Sequence, residues 1–198
     1  MHYDPDVLRH LFAYMIWCDR LMFDAGRRIP EAEYYKPRGI SAGSIRNLFV
    51  HQMVAQQTWL NRWQGKVMVG RLENETEHPT RELLAARWPI VHQSLLDFLT
   101  QQSTATLNAP MTVTRNNGEQ LTLPLGAMMV HVADHGTYHR GQLNMMFKQA
   151  RVEPVYTPYF RFAADGCNAV GATPASPSPP PALSPGDAGV APTRGHTS

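Results

Sequence analysis

The chain has 198 residues, 43% of them hydrophobic and 17% charged, which is enough apolar material for one well-formed core and too little length for two ordinary domains. Lys and Arg total 18 against 16 acidic residues, and the resulting formal charge of +2 gives no electrostatic footprint for nucleic acid or an anionic membrane surface. Cys18 and Cys167 are far apart and lack a C-x-x-C spacing, which excludes a disulfide framework and a thiolate metal site. With no basic-then-apolar leader after Met1 and no apolar run of membrane-spanning length, a soluble cytoplasmic protein is expected.

The first helix is predicted from Pro5 to Arg28. Asp4 suits the N-cap, Pro5 the first turn, and Leu8, Leu11, Phe12, Met15 and Met22 recur at helical spacing before Gly26 and Pro30. The second is predicted from Ala42 to Gln64, opened by Ser41 and stopped by Gly65, with Ile45, Leu48, Phe49, Gln52, Trp59 and Trp63 on one broad face. The third runs from Arg81 to Gln102 behind Thr80, its stripe being Leu83, Leu84, Trp88, Val91, Leu95, Leu96 and Leu99, and Pro89 should kink it. Residues Thr112–Leu123 alternate around Asn117-Gly118, the signature of a β-hairpin with a tight primed turn. The fourth helix runs from Pro124 to Gln149. Four long helices without βαβ alternation or repeats make an all-α four-helix bundle with a short β-hairpin before the fourth helix.

Composition changes near Gly171. The last 28 residues hold 7 of the 16 prolines and only Asp187 and Arg194 as charges, so they cannot bury enough apolar surface to offset their ordering entropy. Residues 1–165 therefore read as the folded domain and 166–198 as a disordered Pro/Ala/Ser/Gly-rich tail.

Three of the 9 histidines, His131, His135 and His139, stand four apart inside the fourth helix, and residues at that spacing stack on one face. Two such neighbours can chelate one ion. All three cannot, because His131 and His139 are about 12 Å apart at ~1.5 Å rise per residue, while metal–nitrogen bonds are about 2.0–2.1 Å. A third ligand must come from another element, and His51 in the second helix is the best donor. It lies on a stripe with Ser44, Asn47, Ala55, Thr58 and Arg62 that is either a solvent-facing strip or the polar wall of a cavity. His2, His10, His78, His92 and His196 read as surface histidines. Half-buried, hydrogen-bonded histidines would give the same pattern, so a plain bundle without metal stays open, as does a His131–His135 pair.

The stretch His131-Val132-Ala133-Asp134-His135-Gly136-Thr137-Tyr138-His139-Arg140-Gly141-Gln142 resembles the H-x-x-x-H-R-G-Q signature of the DinB-like (YfiT/DinB) metalloenzymes. The likeness extends over residues 5–160. It takes in the aromatic-rich first helix at Tyr14–Arg20, Leu48-Phe49-Val50-His51 followed by Trp59, the Asn-Gly hairpin before Pro124-Leu125-Gly126, and Gln149–Pro154. The resemblance implies an up-down-down-up bundle with a divalent metal, zinc or nickel first and iron or manganese as alternatives, held by His51, His135 and His139. Two departures stand out. Gln56 replaces an acidic residue five positions after His51, and Asp134 replaces an Asn before the first fourth-helix ligand, where its carboxylate could orient an imidazole. His131 is then placed behind the ligands or in the core. Three neutral imidazoles leave coordination positions open, as catalytic sites do. The expected activity is that of a metal-dependent hydrolase or a thiol-dependent transferase on a small-molecule substrate, with a low-molecular-weight thiol as the partner in the second case. The alternative is a non-catalytic metal-binding stress-response bundle. A homodimer through an exposed apolar face is expected.

Overall fold

In chain order the elements are α1 (Pro5–Gly26), α2 (Glu31–Tyr35), α3 (Ile45–Trp63), α4 (Arg81–Thr100), α5 (Thr104–Asn108), β1 (Pro110–Thr114), β2 (Gln120–Pro124), α6 (Leu125–Gln149) and α7 (Tyr159–Asp165). They come from a computed structural model that describes residues 2–39, 42–66 and 80–165. The expected tail, Cys167, His78 and His196 lie outside the described residues. The helices α1, α3, α4 and α6 are the four long ones that the periodicity predicts, and three short helices are additional.

Local chemistry sets the helix ends. The Asp4 carboxylate accepts from the Asp6 and Val7 amides, and Thr80 accepts from Leu83. The second long helix begins later than expected: Ser44 is its cap, accepting from the Asn47 amide, while Ser41 lies outside the described residues. The short α5 carries a reciprocal capping box between Ser103 and Thr106. Helix α4 continues through Pro89, at the cost of one intrahelical hydrogen bond.

Inter-helix contacts fix the directions. Tyr3 crowds Gly126 and Met15 crowds Gly136, so α1 and α6 run parallel. His51 meets His135 while Trp59 meets His131, so α3 runs antiparallel to α6. Phe49 contacts Trp88 and Trp63 stacks on Phe98, making α3 and α4 parallel, and Asp19 facing His92 with Phe23 on Trp88 makes α1 and α4 antiparallel. The result is an up-down-down-up bundle. A single core cluster fills it, centred on the edge-to-face trio Phe23, Phe49 and Trp88.

The hairpin pairs Pro110 with Pro124 through Thr114 with Gln120, and its turn departs from the expected type. Arg115 N–H donates to the Glu119 carbonyl and Gly118 N–H to the Arg115 carbonyl, leaving a three-residue loop in which Gly118 (φ +84°) takes the left-handed conformation. Asn117 has negative φ. A primed two-residue turn needs both central residues left-handed, so the chain uses a type I turn with a glycine bulge instead.

Two histidines expected at the surface are packed. His92 is 3% exposed, because it falls one turn after Trp88 on the buried stripe of α4. His10 sits half-buried against Tyr159 and Phe162, covered by the unforeseen α7.

At the end of α1 a Cβ on Gly26 would stand 2.5 Å from the buried Phe49 ring. Gly26→Ala is therefore expected to cost about 1–3 kcal/mol in denaturant unfolding.

Candidate metal centre

The antiparallel seam of α3 and α6 brings one imidazole from the first to two from the second. His135 and His139 share a helical face one turn apart, and their Nε2 atoms are 3.0 Å apart. Across the seam His51 Nε2 lies 3.3 Å from His135 Nε2, and the ring centroids of His51 and His139 are 4.7 Å apart. All three ligand atoms fall within 4.8 Å of one another. The stripe that holds His51 is not a solvent strip: Ser44 and Thr58 are buried and His51 is half-buried.

The two Nε2 separations of 3.0 and 3.3 Å match a shared ion. With metal–nitrogen bonds of about 2.0–2.1 Å, two ligands at right angles are about 2.9 Å apart and two at the tetrahedral angle about 3.3 Å. The hydrogen-bond inventory points the same way. His139 Nδ1 lies 2.6 Å from Gln142 Oε1, which can only accept, so Nδ1 carries the proton and Nε2 presents a bare lone pair to the centre. His135 Nε2 faces both other rings, and one N–H can be directed along only one of those contacts. The imidazoles also suit the task electrostatically. Burial first, then the neighbouring His139, His51 and His131, push His135 down to about 4, and burial lowers His139 against the opposing pull of Gln142. Both are neutral at physiological pH, as ligands must be.

Two other residues singled out in the sequence lie apart from the trio. Asp134 is exposed and lines a cleft on the α1 side of α6; at ~100° per residue it points about 100° from His135 and about 140° from His139. His131 is exposed one turn before His135, with ring centroids 6.1 Å apart, and rests edge-on against Trp59. Gln56 is no part of the centre. It is buried on another face of α3, donating to Asp19 Oδ2 at 2.6 Å and accepting from Trp88 Nε1 at 2.8 Å. The residue that sequence reasoning underused is Gln142, which stands three positions after His139 and so on the same face.

Residues 3–166 match the model of the DinB family. This chain belongs to that family. It is 23% identical over 155 residues to Protein DinB of Bacillus subtilis (strain 168), an alignment covering 75% of this chain and 89% of that protein. Among the described residues no helix is long and apolar enough to cross a membrane.

Two measurements check this description. Gln142→Leu removes the acceptor that fixes the His139 tautomer and is expected to weaken metal binding by about 10–100-fold in competition titrations. In the metal-free protein, folded His135 stays neutral down to about pH 4 while the unfolded chain protonates near its ordinary 6.5. Between these values the unfolded state binds more protons, so stability is full above about 6.5 and is lost as pH falls toward about 4. Thermal unfolding across that window should show a smaller loss in His135→Gln than in wild type.

Proposed function

We propose that the chain binds one divalent transition metal through the Nε2 atoms of His51, His135 and His139 and uses it in a metal-dependent reaction on a small molecule, either hydrolysis or transfer involving a low-molecular-weight thiol. The observation that carries the reading is the pair of Nε2 separations, 3.3 and 3.0 Å, joining residues 84 positions apart in the chain. All-imidazole donors favour zinc or nickel over the oxygen-seeking manganese or magnesium.

When bound, the ion supplies a Lewis acid that lowers the pKa of a coordinated water or thiol. The chain does the rest. Three uncharged ligands leave the ion's charge uncancelled, which maximises that effect. Gln142 holds His139 in the tautomer that points its lone pair inward. His131, in edge contact with Trp59 at 5.4 Å, stands one helical turn before His135. The exposed Tyr138 packs against His139.

Elemental analysis of the purified protein should return about one transition-metal equivalent per chain, falling to background in His51→Ala, His135→Ala and His139→Ala. A panel of esters, amides and thiol–acceptor pairs should give turnover that chelator abolishes and added metal restores. Chelation that lowers Tm with no turnover on any substrate class would instead favour a metal clip between α3 and α6. Absence of stoichiometric metal would overturn both.

A further inference from the structure

The face of α6 opposite the histidines holds a second feature that the metal reading leaves unused. Between α1 and α6 lies a cleft of about 240 Å³ with Leu11, Met15, Val130 and Ala133 among its lining side chains. Arg140 lines it too, and this residue is 4% exposed. Its Nη2 donates to the Thr137 hydroxyl at 2.7 Å, and its plane lies near the Tyr14 ring, 5.5 Å from the centroid. Nη1 has no hydrogen-bond partner, and among the described residues no carboxylate lies within ion-pair distance of Arg140. A Cβ built on Gly136 would stand 3.4 Å from Nη1 and 3.6 Å from Met15 Cγ, so Nη1 is buried beside Met15, which itself lines the cleft.

A buried guanidinium is never neutral, and taking it out of water without a counter-ion costs several kcal/mol even after relaxation. A hydroxyl and an aromatic face offset part of that cost. Among the described residues no carboxylate pairs with the charge, and the cleft beside it is lined by Leu11, Met15, Val130 and Ala133 together with Tyr14, Thr137 and the exposed Asp134.

We infer that this cleft is a binding site for a small organic monocarboxylate, its carboxylate on Arg140 and its apolar body against Leu11, Val130 and Ala133. The volume falls below the roughly 300–1,000 Å³ of drug-sized sites, which sets the ligand at the size of a simple aromatic or short-chain acid. One guanidinium balances one negative charge. Asp134, exposed on the same lining, works against a dianion such as phosphate. Met15 is the side chain that yields to let the carboxylate reach Nη1, and an unbranched thioether does so readily.

The test titrates the full-length protein with benzoate, following heat of binding and Tm, with inorganic phosphate as the comparison anion. Saturable benzoate binding is expected, with a concentration-dependent rise in Tm and at least tenfold weaker binding of phosphate. Arg140→Gln should weaken benzoate binding by about tenfold or more, since a charge-assisted bidentate contact is lost. Val130→Trp, an already exposed position on the lining, should block the cleft with Arg140 intact, and it carries the test by itself if Arg140→Gln folds poorly. No saturable binding of benzoate, equal binding by Val130→Trp and wild type, or phosphate bound as tightly as benzoate would overturn the proposal.

Discussion

An imidazole binds a metal only while neutral, and in this bundle neutrality is a product of packing. The seam where α3 runs antiparallel to α6 desolvates His135 and His139 and sets the third ring against them. Without the seam His51 would be an ordinary surface base 84 positions from His135 in the chain. The sense of the seam matters as much as its existence. Because the helices run in opposite directions, His51 near the start of α3 meets the middle of α6, and Trp59, two turns on, meets His131, two turns back. The chemistry at the centre thus depends on the topology of the bundle.

The other helices are held in register by a polar knot deep in the core. Asp19 of α1, 1% exposed, accepts from Gln56 of α3 and faces His92 of α4 at 3.3 Å, while Trp88 donates to the Gln56 carbonyl. Such networks are costly if one member is lost and admit few alternative alignments. Three long helices are tied through the knot, and α6 is tied to α3 through the histidines. Helix α6 therefore serves two seams at once. His135 and His139 look toward α3, and Arg140, about 100° further round, looks toward α1.

Much of this was readable from residue spacing, and the parts that were not have physical reasons. The long helices follow from apolar periodicity and caps, and His135 with His139 from their separation of four. That His51 is their counterpart rests on a polar stripe equally compatible with solvent, and the family resemblance supports the choice. His92 reads as a surface histidine by residue type, although its spacing from Trp88, Leu95 and Leu99 places it on the buried stripe. Asp19, one turn after Met15 on an apolar face, is the matching signal, since a lone acid there implies a buried partner. The short helices α2, α5 and α7 span too few residues to show a period, and the hairpin turn was mistyped because Asn-Gly serves both turn classes.

The account stands on three imidazole nitrogens sharing one ion, and X-ray absorption spectroscopy of the metal-loaded protein reads that arrangement directly. The expected spectrum fits three histidine nitrogens at about 2.0–2.1 Å, with the remaining scatterers light atoms from solvent, and loses one imidazole shell in His51→Ala. A sulfur shell near about 2.3 Å, or a His51→Ala spectrum identical to wild type, would contradict it.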